Sequence, residues 1–351
     1  MIKGGVIMMF FESNYKKRII SFLLIVLLMV GLLSINIFAK DDAFVLKLSH
    51  HHNVGGVADL VSNKFAELAD EKSGGRIKVE IFPGAQLAQE REAAEGVLMG
   101  TLDMAFVSSS IFVNLVDGYG VDGLPFVLSS DWWKNVKLFN DSPVGELLDK
   151  SMLDKGGVNL GWGVYGARHL FFKEKDIKTL DDMKGLKMRS PEVDYFVEMY
   201  RVTGARPTAI TWGETYTAMQ TGLVDGMDAP YMSIVDTRLY EVSKYLLESS
   251  HMWATFNLIV NLDVFNRLPE DLQEIVLEAG SEAFDYVNEA AYEQVKGYAE
   301  FLQGKGMIFS KLSDEDRKKF AELTKPVVEN WAKSHNAVEI LNMIEQELAA
   351  N

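Results

Sequence analysis

The sequence predicts an α/β fold, because short apolar strands alternate with amphipathic helices along its first half. Residues 44–49 (FVLKLS) alternate apolar and polar side chains, as a half-buried strand does. Residues 57–72 place apolar side chains at helical spacing, and a second alternating strand follows at 77–82. A helix at 90–99 and a strand at 103–107 repeat this order. The rhythm indicates a parallel sheet with crossover helices.

A second α/β unit is predicted in the middle of the chain. Residues 158–164 form a predicted strand, which a turn at 166–169 separates from the apolar residues 170–172. A strand at 186–189 and an amphipathic helix at 193–202 follow. The middle of the chain therefore repeats the architecture of its first part.

Longer elements are predicted to connect and complete the two units. Residues 252–262 form an apolar strand, and residues 271–301 form one long helix with apolar side chains at helical spacing. Two C-terminal helices are predicted within residues 320–348, broken near Pro326 and His335. The break near Pro326 is expected because proline removes a helical hydrogen bond.

Composition excludes several classes of function. The chain has 351 residues and a formal net charge of -15, so it lacks the positive surface that nucleic-acid binding requires. It contains no cysteine, which excludes thiol nucleophiles, cysteine metal sites and disulfides. A cysteine-free chain suits export to an oxidising compartment such as the bacterial periplasm.

The N-terminus has the pattern of a targeting segment. Positive residues at 16–18 precede an uncharged apolar run at 19–38, and Ala39 stands before polar residues. We predict a Sec signal peptide over residues 1–39, cleaved near Ala39, and a periplasmic protein. The apolar run is long, so an uncleaved membrane anchor is the alternative.

One arginine stands where α/β proteins bind ligands. Arg189 ends the predicted strand at 186–189, and the carboxyl ends of strands are where ligands sit in open α/β sheets. A guanidinium matches a carboxylate with a planar pair of donors and stays charged when it is buried. The alternative is a surface arginine paired with Glu192 or Asp194.

Six collinear sequence blocks resemble the solute-binding proteins of tripartite ATP-independent periplasmic (TRAP) transporters, of the dicarboxylate-binding-protein (DctP) family. Among them are SGGRIKVEIFPGAQLAQERE, DDMKGLKMRSPE and GARPTAITWGETYTAMQTGLVDGMDAP. The six blocks occupy residues 73–92, 100–110, 122–128, 181–192, 204–230 and 266–273.

The resemblance implies a two-domain periplasmic binding protein with crossover strands, a domain-spanning helix and C-terminal helices. It implies a monomer that captures a small organic acid between its domains and delivers it to the small and large permease subunits. No catalysis, metal or cofactor is expected. The expected first domain combines residues 40–165 and 255–294, the second combines 166–254 and 295–322, and C-terminal helices occupy 323–351.

The resemblance also assigns candidate ligand contacts. Arg189 matches the arginine that makes the family's bidentate salt bridge to a carboxylate, and Arg168 matches a second arginine near the ligand. Trp212 matches an aromatic residue that packs on the ligand. The alternatives are a hinge ion pair for Arg168 and a core position for Trp212. The other candidate contacts are His51, Asn53, Glu90, Ser108 and Asp228.

Each of these further contacts also has an alternative role in the structure that involves no ligand. Ser108 stands at a strand's carboxyl end but could cap the next helix, and Glu90 could be a solvated helix start. His51, His52 and Asn53 follow the first strand, at a ligand-contact position of the family. A zinc site there would need a carboxylate partner that the spacing does not provide, so a solvated loop is the main alternative.

A departure from the family pattern limits the choice of ligand. Many relatives have GQENP where this chain has GMDAP, so Ala229 replaces a ligand-binding asparagine and Asp228 replaces a glutamate. Arginine donors, acidic acceptors and a tryptophan favour a sugar acid, such as a hexuronate or an aldonate. A C4-dicarboxylate or a 2-oxo acid is the alternative. A periplasmic enzyme is less favoured, since no HExxH, GxSxG or P-loop motif occurs. A ligand sensor is a further alternative, which the sequence does not separate from a transport protein.

Overall fold

The computed structural model describes residues 43–350, and the predicted signal peptide lies outside them. The described residues form nine strands in one sheet. These strands are β1 Phe44–Ser49, β2 Ile77–Phe82, β3 Met104–Ser108, β4 Gly157–Phe172, β5 Lys187–Ser190, β6 Arg206–Ala209, β7 Gly226–Pro230, β8 Tyr245–Asn261 and β9 Ile308–Lys311.

Eleven α-helices surround the sheet within residues 43–350. None of these described helices is long and apolar enough to cross a membrane. They are α1 Val57–Ser73, α2 Glu90–Met99, α3 Trp132–Asn140, α4 Pro143–Asp154, α5 Asp194–Val202, α6 Thr215–Thr221, α7 Tyr231–Asp236, α8 Leu262–Asn266, α9 Glu270–Gly304, α10 Asp314–Ser334 and α11 Val338–Ala350.

Two groups of parallel strands are joined by two long crossing strands. The sheet order is β2-β1-β3-β8-β4-β7-β5-β6, with β9 paired to β8. Strand β1 is parallel to β2 and β3, and β5 is parallel to β6 and β7. Strand β8 is antiparallel to both β3 and β4. The predicted α/β class with a parallel sheet and crossing strands is confirmed, and the predicted domain boundaries remain a prediction.

Strand β4 corrects one prediction from the sequence. The predicted turn at residues 166–169 is wrong, because β4 runs without interruption from Gly157 to Phe172. Its pairing with β8 shifts register at three places, including Val164/Gly166 and Arg168/Leu170. Such bulges let an irregular strand stay paired. At one of them Gly166 has a φ of 104°, a conformation that favours glycine.

The C-terminal helices correct another prediction. Helix α10 continues through Pro326, so the predicted break there is wrong, whereas the break near His335 is confirmed. Pro326 and Glu322 are both exposed. Proline has no N–H to donate to the Glu322 carbonyl. Because this position is exposed, water can donate a hydrogen bond to the carbonyl instead.

Helices α3 and α4 were not predicted, although both begin with ordinary start signals. The Asp131 carboxylate accepts hydrogen bonds from the backbone of Trp133 and Lys134, which caps α3. Ser142 caps α4, and Pro143 follows it in the first turn.

The long helix α9 lies on the crossing strands and on α1. Phe65 of α1, Phe284 of α9 and Phe256 of β8 are fully buried in one apolar cluster. Gly280 of α9 lies directly on β4, where an added Cβ would come 2.7 Å from the Leu160 Cβ and 2.9 Å from its carbonyl oxygen. This close contact fixes the distance between helix and sheet.

Two glycines of α9 provide a matched test of this packing. Gly280→Ala should destabilise the protein by about 1–3 kcal/mol, because β4 must shift to admit a methyl group. Gly297→Ala, with nothing within 4 Å of its added Cβ, should stabilise it by about 0.5–1 kcal/mol through helix propensity. Urea unfolding measures both changes. Equal stability of the two variants would contradict the packing described here.

Candidate functional site

A polar cavity lies at the carboxyl ends of the parallel strands. His51 and His52 follow β1, Ser108 ends β3, and Arg189 lies near the end of β5. Arg168 reaches the cavity from the middle of β4, where it pairs with β7 and β8. The cavity volume is about 50 Å³. Because this is room for one or two water molecules, a ligand of several carbons requires the walls to move apart.

Arg189 is buried with part of its guanidinium unpaired. Its side chain is 3% exposed, and its Nε donates to the Ile210 carbonyl at 2.9 Å. The guanidinium lies over the Trp212 ring, 5.4 Å from the centroid. Within residues 43–350 its two terminal nitrogens have no hydrogen-bond or ion-pair partner. The alternative pairing with Glu192 or Asp194 is therefore not formed.

Arg189 keeps its charge despite this burial. Burial lowers its pKa to about 10, and the nearby Arg168 adds to that effect. At neutral pH the side chain therefore stays a cation. A buried cation without an anion is costly, so an anionic ligand at its free edge relieves that cost.

Arg168, in contrast, already has an anionic partner. Its Nε donates to Oδ2 of Asp228 at 2.5 Å, and its Nη2 donates to the Asp228 carbonyl at 2.9 Å. The other carboxylate oxygen of Asp228 accepts from the Tyr200 hydroxyl at 2.5 Å. Burial alone would raise the Asp228 pKa, but Arg168 and then His251 hold it below its ordinary value. Arg168 and Asp228 thus form a buried ion pair.

This arrangement differs from the role expected for Asp228. Asp228 is 1% exposed and lies behind Arg168, whereas direct ligand contact was expected. Its two carboxylate oxygens accept from Arg168 and Tyr200, and Asp228 does not line the cavity. Asp228 instead holds Arg168 in position, which leaves only Nη1 of that guanidinium for the cavity.

Glu90 brings a carboxylate to the opposite wall. Its Oε1 accepts from the backbone N–H of Ser108 at 2.9 Å and lies 3.4 Å from Nε2 of His51. Burial raises the pKa of Glu90, while its contacts with Ser108 oppose this rise. Glu90 is therefore held in place beside Ser108 and His51.

The cavity histidines are neutral hydrogen-bonding groups. Burial lowers the pKa of His51 to about 3, with a smaller contribution from His50. Burial also lowers the pKa of His52, whose Nε2 lies 2.9 Å from the Tyr165 hydroxyl. Within the described part of the chain, no group of three or more histidines and acids could hold a metal ion.

Six of the eight expected contacts come together at this cavity. Asn53, like Asp228, does not line it; Asn53 is exposed in the loop that precedes α1. The six that line the cavity are His51, Glu90, Ser108, Arg168, Arg189 and Trp212.

The sequence analysis missed two hydroxyl-bearing residues of the wall. Tyr165 lies in the part of β4 where bulges disturb the strand alternation, so its direction could not be read from spacing. Ser233 lies in the first turn of α7, just after the carboxyl end of β7. Its position after a strand was the signal that could have identified it.

Two groups of parallel strands, long crossing strands and a polar cavity at the strand ends form the architecture that the sequence resemblance predicts for a solute-binding protein. The model of the DctP family, described as bacterial extracellular solute-binding protein, family 7, matches residues 48–334. The chain therefore belongs to this family of TRAP transporter solute-binding proteins, which are transport proteins that bind their substrate.

Individual relatives cover most of the chain. A solute-binding protein of Verminephrobacter eiseniae is 30% identical over 265 residues, which are 75% of this chain and 77% of that protein. The C4-dicarboxylate-binding periplasmic protein DctP of Rhodobacter capsulatus is 27% identical and aligns over 86% of this chain and 90% of its own length.

A solved structure shares both the fold and the length of the described chain. It is a TRAP periplasmic solute-binding protein from Sulfitobacter sp. NAS-14.1 with bound beta-D-galacturonate, 27% identical to this chain. The TM-score is 0.82, and the match covers 86% of this chain and 99% of the other.

Proposed function

We propose that this protein captures a sugar acid with one carboxylate, such as a hexuronate or an aldonate, for a TRAP permease. The observation that carries the proposal is the buried Arg189, whose two terminal nitrogens have no partner among residues 43–350. These nitrogens form the planar pair of donors that suits a carboxylate. Delivery then follows to the small and large membrane subunits of the permease.

The charges around the cavity favour a monoanion. Arg168 and Asp228 neutralise each other, and His51 and His52 are neutral because burial lowers their pKa values. Arg189 is the remaining cation on the wall. A first ligand carboxylate pairs with it, whereas a second one meets the carboxyl group of Glu90 in a medium of low dielectric.

The remaining wall groups suit a polyhydroxylated ligand. Glu90 accepts hydrogen bonds, and the hydroxyls of Ser108, Ser110 and Ser233 can donate or accept them. When the contact between Trp212 and His52 opens, the Trp212 ring offers the face that His52 covered to the apolar side of a sugar ring. The galacturonate that occupies the Sulfitobacter relative belongs to this chemical class.

Contacts across the cavity support capture by closure. Arg91 of α2 donates through Nη2 to the Glu192 carbonyl at 2.9 Å, and the His52 ring stacks on Trp212 with centroids 6.1 Å apart. Each contact joins the two predicted domains. In the proposed cycle these contacts open to admit the acid, its carboxylate pairs with Arg189, and closure excludes water. Loss of water strengthens the ion pair.

A C4-dicarboxylate or a 2-oxo acid is the second candidate. The Rhodobacter capsulatus relative is named for C4-dicarboxylates, and Nη1 of Arg168 could serve a second anionic group. Glu90 weighs against a dianion, as described above. Catalysis is not part of the proposal, because the family that this chain belongs to consists of solute-binding proteins.

Replacing Arg189 tests the anchor. Arg189→Ala should weaken galacturonate binding at least about a hundredfold, because the closed cavity then holds an unpaired carboxylate. Arg189→Lys should bind weakly as well, since an ammonium lacks the planar pair of donors. Isothermal titration calorimetry measures both affinities. The control is Arg201→Ala, which removes an exposed arginine of α5 that pairs with Glu198. Wild-type affinity in the Arg189 variants would refute the anchor.

A ligand panel on the wild-type protein tests the ligand class. At about a hundred times its Kd, a sugar acid should add about 2.7 kcal/mol of stability and raise Tm by roughly 5 °C or more. Galacturonate and galactonate are compared with succinate and pyruvate, and galactose is the matched sugar without a carboxylate. If succinate or pyruvate stabilised the protein and neither sugar acid did, the proposed ligand class would be wrong. The second candidate, a C4-dicarboxylate or a 2-oxo acid, would take its place.

A further inference from the structure

A second cavity lies on the other side of the crossing strands from the polar cavity. Its volume is about 410 Å³, and nothing in the proposed function uses it. Elements α3, β4, α7, β8 and α9 all contribute to its walls. We call it the aromatic cavity, because six of its lining residues carry aromatic rings: Trp132, Trp133, His169, Tyr231, Trp253 and Tyr292.

Strand alternation places the two cavities back to back. Ala167 and His169 of β4 line the aromatic cavity, whereas Arg168 between them lines the polar cavity. In β8, Trp253 lines the aromatic cavity and Ala254 the polar one. Successive side chains of a strand point to opposite faces of the sheet. The aromatic cavity is therefore a separate site, and side chains of the acid site do not reach it.

The three tryptophans and Tyr292 meet at inclined angles in the wall of the aromatic cavity, whereas His169 and Tyr231 stack on each other. Trp132 lies 6.1 Å from Trp253 at an interplanar angle of 69°, and 5.8 Å from Tyr292 at 53°. Trp133 lies 5.4 Å from Tyr292 at 61° and is 37% exposed. Aromatic rings grouped around a space are a typical binding site for quaternary ammonium groups.

The single charged residue on the lining of this cavity is acidic. Asp131 uses Oδ1 to accept from the backbone of Trp133 and Lys134, while its Oδ2 has no hydrogen bond among residues 43–350. His169 is neutral, because burial and then His251 lower its pKa to about 3. The lining therefore complements a positive guest.

One ring of the cavity already attracts an ammonium group. The Nζ of Lys296 lies 4.1 Å from the centroid of the Tyr292 ring. This distance is within the range for a cation–π interaction, so Lys296 covers one face of Tyr292 and a guest depends on the tryptophan rings instead.

We propose that the aromatic cavity binds a small organic ammonium ion, held by the faces of Trp132, Trp133 and Trp253 and by the carboxylate of Asp131. The ring faces attract the cation, and Asp131 gives it a partial counter-charge. This site is independent of the carboxylate anchor at Arg189.

Choline and its neutral isostere, in which a tert-butyl group replaces the trimethylammonium group, test the site. Isothermal titration calorimetry on the exported chain should show saturable binding of choline and at least about fivefold weaker binding of the isostere. The Arg189→Ala variant should bind choline as the wild type does. Loss of acid binding can therefore be distinguished from loss of choline binding. No saturable choline binding, or equal binding of the isostere, would overturn the proposal.

Variants locate the binding. Trp133→Ala should weaken choline binding at least about fivefold, and so should Asp131→Asn, which keeps the helix cap but removes the charge. Tyr286→Ala is the control, because Tyr286 is an exposed aromatic residue that lies outside the cavity, on the helix α9 that also carries Tyr292. Circular dichroism checks that each variant folds. Unchanged choline affinity in both cavity variants would place the binding elsewhere and overturn the proposal.

Discussion

The cost of burying the Arg189 guanidinium without an anion is the constraint on which the site depends. Two arginines lie close together under the cavity, and burial penalises both charges. The protein neutralises one of them, Arg168, with Asp228, which Tyr200 also bonds. It leaves the other with a single carbonyl partner at Ile210. The anion that completes this arrangement is the ligand carboxylate in our proposal.

The sheet explains how distant residues meet around this charge. Parallel strands end at one edge, so the segments that follow β1 and β3 face those of β5 and β7 across the crossing strands. Arg168 reaches the polar cavity from β4. The bulges of β4 shift its register while the strand stays paired with β8. Helix α9 packs on the back of β4 through Gly280. Fold and site are thus linked through β4, whose opposite face also lines the aromatic cavity.

Much of this arrangement was predictable from the sequence, for identifiable reasons. Strand alternation and helical spacing are local, so β1, β2, α1 and α9 follow from them. Arg189 was predictable from its place at a strand end and from the family resemblance. The continuity of β4 was not, because glycines suggest a turn unless the partner strand β8 is known. Nor was the role of Asp228, whose pairing with Arg168 joins residues 60 positions apart.

A crystal structure of the protein with galacturonate tests the central claim most directly. We expect both carboxylate oxygens of the ligand within hydrogen-bonding distance of the terminal nitrogens of Arg189, with the ring beside Trp212. Asp228 should stay bonded to Arg168. A ligand whose carboxylate lies elsewhere, with the Arg189 nitrogens still unpaired, would contradict this account.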